Sequence, residues 1–314
     1  MYVDRRFFLW NESINTTSVA NEIISVNVWY TSMASPPKPE PDFEIGPRDV
    51  NLYLDYLKLL RLSRMEGIIR MEYIYESAQR SYEDFASGRV LYNAQGTTSF
   101  PVRLASEIVQ RCFQLLEKKG VQGPYALFDP CCGGAYLLTV VGLLHGQRIH
   151  RIIGSDINAE VLGIAAKNLS LLREEGLEQR TEQLKELLAL YQKPSHQDAL
   201  QSAGRLRELL RSSRVAEKVC FQADITQPEK SLAVSCKGTH IVMTDLPYGD
   251  LVSWGGGSDE PVKDFFNGIH SILDPGRSVV AVISDKGQKL KHDRFQRIQH
   301  MKVGKRQVAI FEPI

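Results

Sequence analysis

The stretch FDPCCGGAYLL, residues 128–138, decides how the chain is read. An apolar run, YALFD (125–129), stops at Asp129, a turn with two glycines follows, and AYLLTVVGLLHG resumes as an apolar helix. Gly133 and Gly134 let the backbone approach a ligand closely, and the opening helix offers unpaired N–H groups. The spacing is not the GxGxxG of dinucleotide-binding turns, and an acid precedes the glycines where a pyrophosphate would be repelled. A carboxylate there suits a cationic or amine-bearing ligand, such as the methionyl part of S-adenosylmethionine; the bland alternative is a capped strand–helix turn.

The same grammar repeats downstream. HRIIGSD (150–156) reads as a strand and NAEVLGIAAKNLSLL as a helix with Asn158 at or near its N-cap. EKVCFQAD (217–224) and THIVMTD (239–245) read as strands, EPVKDFFNGIHSIL as a helix and RSVVAVISD (277–285) as a strand. Apolar strands separated by helical segments predict a parallel sheet covered on both faces, a doubly wound α/β fold of Rossmann-like type. FQRIQHMKV and RQVAIFEPI, separated by Gly304 and Lys305 alone, predict a C-terminal antiparallel hairpin. Residues 173–215 break the rhythm as two charged amphipathic helices around KPSH, a helical insertion that fits a solvated hairpin or a binding element.

Upstream, SFPVRLASEIVQRCFQLLEKKG gives an extended entry, a helix and a glycine C-cap. The spacing of Leu54, Leu57, Leu60, Leu62, Met65, Ile68 and Ile69 predicts a helix from Asn51 to about Arg80. SMASPPKPEPDFEIGP reads as an extended linker and IISVNVWY as an edge strand or an apolar patch. The chain thus divides into an N-terminal extension, 1–80, and a main domain, 81–314.

With 43% hydrophobic and 24% charged residues, the 314-residue chain has an ordinary globular composition. Its net charge of +1 gives no global signal for nucleic acid. Five cysteines, two of them adjacent, make a poor disulfide framework and indicate a reducing cytoplasm. Cys112, Cys220 and Cys236 lack paired CxxC spacing, so no metal site is expected. No stretch approaches the ~20 apolar residues of a membrane span.

Four consecutive strands end on aspartate: Asp129, Asp156, Asp224 and Asp245. Ligands of open α/β sheets bind at that edge. Asp156 stands where an acid commonly accepts ribose hydroxyls, though it also competes with Asn158 for helix capping. Asp224 stands where an adenine amine would donate. In TDLPYGD (244–250), Asp245, the Leu246 carbonyl and the Tyr248 ring form a candidate pocket for a flat base with an exocyclic amine, the rival being a plain turn with Tyr248 in the core. Either an amine or a ring nitrogen is a possible target. The run 286–306 holds eight Lys/Arg against one Asp, and Lys302, Lys305 and Arg306 are its candidate RNA contacts. Arg103 reads as a phosphate contact, a cofactor contact or a strand cap.

DPCCGG followed by TDLPYG resembles the motif pair of S-adenosylmethionine-dependent amino-methyltransferases of nucleic acids, with Leu246 standing where that family has its first Pro. SGRVLYNAQGTTSFPVRLASEI, DPCCGGAYLLTVVGLLH, SDINAEVLGIAAKNLSLL, the KPSH insertion and TDLPYG together resemble the AviRa-type ribosomal RNA methyltransferases, from about Phe85 to the C-terminus. Those methylate a guanine of large-subunit ribosomal RNA and confer avilamycin resistance. The resemblance implies S-adenosylmethionine as cofactor and ribosomal RNA or a ribosomal subunit precursor as partner. It puts Asp129, Cys131, Gly133, Gly134, Asp156 and Asp224 in the cofactor site and Asp245, Leu246 and Tyr248 against the substrate. Alternatives are a DNA adenine or transfer RNA guanine methyltransferase, a small-molecule or protein methyltransferase, and a non-catalytic RNA-binding protein with a relict cofactor fold.

Overall fold

The computed structural model describes residues 69–70, 72–93, 99–228, 230–247, 254 and 257–314. The expected linker, the expected strand IISVNVWY and the 51–68 part of the expected helix lie outside these residues, as does Tyr248.

Among the described residues, seven strands of five or more residues follow in chain order: β1 (Tyr125–Asp129), β2 (Ile149–Asp156), β3 (Glu217–Gln222), β4 (Ile241–Asp245), β5 (Val279–Asp285), β6 (Phe295–Val303) and β7 (Arg306–Pro313). They form one sheet in the spatial order β6-β7-β5-β4-β1-β2-β3, with Ile69–Arg70 added in parallel beside β6. β3, β2, β1, β4 and β5 run parallel, and β7 is antiparallel to both β5 and β6. The expected α/β sheet with its C-terminal hairpin is therefore present. Gly304, at φ +59, makes the two-residue turn between β6 and β7 possible without side-chain strain. The chain winds outward from β1 through β2 to β3, then crosses back to place β4 on the other side of β1. That reversal makes the carboxyl ends of β1 and β4 the topological switch point, where open α/β sheets bind their ligands.

The helices are α1 (Val102–Lys118), α2 (Tyr136–His145), α3 (Ala159–Ser170), α4 (Glu174–Tyr191), α5 (Pro194–Leu210), α6 (Lys230–Ser235) and α7 (Pro261–His270). Alternate strand residues enter opposite layers. Leu127, Ile241, Met243, Ala281 and Ile283 pack with Ile108, Leu138 and Leu184 of α1, α2 and α4 on one face. Phe128, Val242, Val280 and Val282 pack with Phe265, Phe266 and Ile269 of α7 on the other. Burial on both faces explains why these strands carry unbroken apolar runs. Asn158 caps α3 by accepting from the Glu160 amide at 2.9 Å. The insertion is the expected helical pair, α4 and α5. Arg205 grips Asp84 through both carboxylate oxygens, and Ser202 donates to the same group at 2.7 Å.

The expected helix does not continue through residues 72–80, which are irregular. Their backbone donors are taken elsewhere. The buried Glu107 carboxylate accepts the amides of Ile74, Tyr75 and Glu76 at 3.0, 2.8 and 2.9 Å, and Arg111 balances its charge at 2.8 Å. Below this strap the Glu76 carboxylate meets the Ser106 hydroxyl, which stands 2.8 Å from His145 Nε2. Among the described residues no helix is long and apolar enough to cross a membrane.

Burial pulls the His145 pKa down to about 4, outweighing the Glu76 charge. The folded state therefore binds fewer protons than the unfolded chain between about pH 4 and 6.5, and this group's contribution falls as pH drops through that window. The full effect is on the order of 3 kcal/mol. Denaturant unfolding of the wild type and His145→Gln at pH 7.5 and 4.5 checks this: the stability difference between the two proteins should narrow in acid.

Candidate functional site

The site begins with where β1 stops. Asp129 is 2% exposed, and its Oδ1 accepts the Cys131 amide at 3.0 Å. The chain then turns against the end of β2. The Cys132 amide donates to the Ser155 carbonyl at 2.9 Å, and the Gly133 amide donates to Asp156 Oδ2 at 2.8 Å. Gly133 is at φ +50 and Ala135 at φ +55, so the turn holds two left-handed residues immediately before α2. Such conformations in a non-glycine residue persist only when surroundings enforce them. Here the Ala135 amide is held by the Cys132 carbonyl at 2.8 Å. Nothing stands within 4 Å of where a Gly133 side chain would begin, which leaves open space beside the turn. A side chain on Gly154, by contrast, would press on Cys132 Sγ at 3.0 Å, so this glycine permits the β1 turn to lie against β2.

Asp156 uses its second oxygen, Oδ1, to accept the Asn158 amide at 2.9 Å. It therefore organises the β1 turn and the approach to α3 together, while Asn158 does the capping. Asp224 ends the β3 segment and accepts both the amide and the hydroxyl of Thr226, at 2.9 and 2.6 Å. Asp245 ends β4, partly exposed, with Arg306 Nε 3.9 Å from its Oδ2. Leu246 is buried in the apolar layer below, and its amide donates to the Ile283 carbonyl at 2.9 Å. The structure thus brings Asp129, Cys131, Gly133, Gly134, Asp156 and Asp245 to one sheet edge, with Asp224 on its far side beyond β2.

Burial pushes the Asp129 pKa up to about 7; the Thr244 hydroxyl and the Cys131 amide pull it down, and the charges of Asp156 and Asp245 add to the rise. The Cys131 and Cys132 thiols are raised well above their ordinary value, first by burial and then by the Asp129 and Asp156 charges. Neither supplies a thiolate nucleophile. Among the described residues no cluster of three or more His, Cys, Asp or Glu could hold a metal ion.

The basic residues fall in different places. Lys302 and Lys305 are exposed on the terminal hairpin. Arg306 instead turns inward to Asp245, with its guanidinium carbon 5.8 Å from the Phe100 ring centre. Arg103 donates to the Glu76 carbonyl at 2.6 and 3.0 Å and to that of Ser77 at 3.2 Å, and lies 4.0 Å over the Tyr73 ring. Its guanidinium is engaged in fastening the 72–80 strap to α1.

Sequence reasoning passed over Asn168. This buried side chain donates to the carbonyls of Gly134 and Tyr92, at 2.8 and 3.0 Å, and accepts the Tyr92 amide at 2.8 Å. Tyr92 in turn donates to Gln183 at 3.0 Å and lies under Arg180 at 4.4 Å. The insertion is thereby fastened to the glycine turn. The only hint in the sequence is a polar residue within the apolar stripe of α3.

A strand-ending acid, a left-handed glycine turn and a second acid across the switch point, on this sheet order, define a Rossmann-like methyltransferase. Residues 71–306 match the family model of the rRNA methyltransferase AviRa. The chain is 39% identical over 230 residues to a 23S rRNA (guanine(2535)-N(1))-methyltransferase from Streptomyces viridochromogenes, covering 72% of this chain and 90% of that protein. A solved structure of rRNA methyltransferase AviRa from the same organism superposes with a TM-score of 0.68 at 36% identity, covering 77% of this chain and 96% of that one. A second structure of it also gives 0.68, at 34% identity. The chain belongs to the AviRa family of rRNA methyltransferases.

The raised Asp129 pKa predicts a stability effect. A carboxyl whose folded pKa lies above its unfolded value destabilises the fold progressively as pH rises from about 4 through 7. Asp129→Asn should therefore match the wild type in stability near pH 3.5, below both pKa values, and exceed it at pH 8.5 by roughly 1–4 kcal/mol. Equal melting temperatures at both pH values would contradict the burial of an uncompensated carboxylate.

Proposed function

We propose that this chain transfers a methyl group from S-adenosylmethionine to a guanine of large-subunit ribosomal RNA, at N1. The observation that carries the reading is the pairing of two unlike acids on neighbouring strands. Asp129, on β1, is sealed from water, and Asp245, on β4, opens to it. The residues at the switch point fit the cofactor. Burial and two neighbouring carboxylates raise Asp129, and the charge of a ligand ammonium against it offsets that rise. The open space at Gly133 accommodates a ligand close to backbone. Asp129, Cys131, Gly133 and Gly134 would hold the methionyl part, Asp156 the ribose hydroxyls and Asp224 the adenine amine. S-Adenosylmethionine supplies a methyl group on a sulfonium sulfur, which departs as a neutral thioether when a nitrogen takes the methyl.

The chain's own task is to bring the nitrogen to the methyl and to manage its proton. Orientation alone removes roughly 7–11 kcal/mol of barrier when the reacting atoms are well aligned. Asp245 accepts the N1 proton, the Leu246 carbonyl accepts from the exocyclic amine, and Tyr248 stacks on the extruded base. Burial of the Leu246 side chain and its amide bond to Ile283 fix that carbonyl's backbone. Lys302 and Lys305 take phosphates, and the Arg103 clamp orders the strap beside α1. The catalytic unit takes in 81–314 with its helical insertion at 173–215, and the end of the 1–80 extension joins it: Ile69–Arg70 adds to its sheet and residues 72–80 strap onto α1. The partner is ribosomal RNA or a ribosomal subunit precursor, met in the cytoplasm. The AviRa-family resemblance supports shielding of the ribosome from an antibiotic as the physiological result, with housekeeping modification of the ribosome as the alternative.

Incubating the protein with labelled cofactor and, separately, ribosomal RNA, transfer RNA or DNA tests this proposal. N1-methylguanine in the large-subunit RNA is the expected product. Label in DNA or transfer RNA alone, or in none of the three, would overturn the reading. Asp245→Asn should retain cofactor affinity and lose about 10²–10⁴-fold in rate. Asp156→Ala should weaken cofactor binding by about 1.5–3 kcal/mol, the worth of a charged hydrogen bond.

The exposed hairpin lysines give a separate test. Replacing Lys302 and Lys305 together by Glu should flatten the salt dependence of RNA binding by at least ~0.7 log–log units for each phosphate that these lysines neutralise. Parallel lines for wild type and variant would remove these lysines from the RNA interface.

A further inference from the structure

Arg306 belongs to a basic run and reads at first as one more phosphate contact. Its position says otherwise. It opens β7, while Asp245 ends β4, and β5 runs between the two strands. Opposite Asp285 in the β5–β7 register, the Arg306 side chain crosses the end of β5 to reach the carboxylate. Nε stands 3.9 Å from Asp245 Oδ2, and the two side chains are 26% and 28% exposed. The ring of Phe100, itself 6% exposed, lies beside the guanidinium. An anion and a cation thus stand side by side at the opening where the target base is proposed to enter.

A carboxylate presents acceptors alone, and a guanidinium presents donors alone. The pairing edge of guanine reads donor, donor, acceptor: the 2-amino group, N1–H and O6. Adenine offers an acceptor at N1 beside a donor at N6, the reverse of what a carboxylate at N1 requires. Enzymes that extrude a base read it through this edge. We infer that Arg306 is a guanine-reading residue that donates to O6 while Asp245 faces N1–H and the 2-amino group. This rests on the guanine reading above and names the residue that enforces it.

The arrangement also serves the chemistry. As Asp245 takes the N1 proton, the electron pair of the broken N–H bond stays on the base, shared between N1 and O6. Arg306 donates to the oxygen that gains charge. N1 then spends that pair on its new bond to the methyl carbon while the carbon–sulfur bond breaks and its pair returns to sulfur, leaving a neutral methylated guanine, a neutral thioether and a protonated Asp245. A lysine at 306 keeps the positive charge but lacks the planar fork.

Arg306→Gln and Arg306→Lys, with RNA fragments bearing guanine or adenine at the target position, test the inference. Without cofactor, the wild type should bind the guanine fragment more tightly, and both variants should narrow that preference to the part Asp245 supplies, with an unchanged salt slope. At saturating guanine fragment and cofactor, Arg306→Gln should be slower by about 100–1,000-fold, the usual loss for one oxyanion donor, with the cofactor Kd unaltered. A salt slope shallower by ~0.7 units with the saturated rate intact would make Arg306 a phosphate contact and overturn the inference. Unchanged rate and unchanged guanine preference would overturn it as well. Should Arg306→Gln fail to fold, Arg306→Lys decides by the same guanine preference. A wild type that methylates another nitrogen yet prefers guanine through Arg306 would sink the N1 assignment and leave the base-reading role standing.

Discussion

Everything at the carboxyl edge of this sheet depends on one buried carboxylate. Asp129 lies at the end of a central strand with almost no exposure, and its neighbours include two further acids. Burying a charge without an opposite one is costly, and the group responds by holding its proton up to about pH 7. A fold that keeps such a residue gives up stability at one point and gains a place that favours a cation. The glycine turn, the left-handed Ala135 and the amide bond from Gly133 to Asp156 hold the surrounding backbone open on the ligand side.

The helical insertion is part of that arrangement rather than an appendage. Asn168 holds the Gly134 carbonyl with the same amide nitrogen that holds Tyr92, and Tyr92 is gripped by Gln183 and Arg180 of α4. A displacement of α4 is therefore felt at the glycine turn through two side chains. At the opposite border the hairpin carries Arg306 to Asp245, so the last strand pair of the sheet reaches the proposed base pocket as well as the outer surface.

Much of this was legible in the sequence for a simple reason. A parallel strand buried on both faces must be apolar along its length, so the first charged residue marks its end. That rule placed Asp129 and Asp245; Asp156 and Asp224 follow strands that carry earlier charges, Arg151 in one and Glu217 and Lys218 in the other, and were placed by the repeating strand–helix order. The two-residue spacer at Gly304 and Lys305 marked the hairpin just as directly. What stayed hidden depends on long-range partners. Residues 72–80 are irregular because Glu107, some thirty positions later, captures their amides. Arg306 looked like part of a surface run because only the insertion of β7 between β5 and β6 brings it to Asp245. Asn168 was invisible for the same reason, its partners lying on the β1 turn and in the segment ahead of α1.

The most direct test is calorimetric titration of the protein with S-adenosylmethionine at pH 6, in two buffers of different ionisation enthalpy. If Asp129 is the seat of the cofactor's ammonium, binding should release nearly one proton per site, because a carboxyl with a pKa of about 7 must ionise to meet the cation. The apparent enthalpy should then differ between buffers for the wild type and agree for Asp129→Asn. Buffer-independent enthalpy for the wild type, with cofactor bound, would contradict the assignment of this buried carboxylate as the cofactor's anchor.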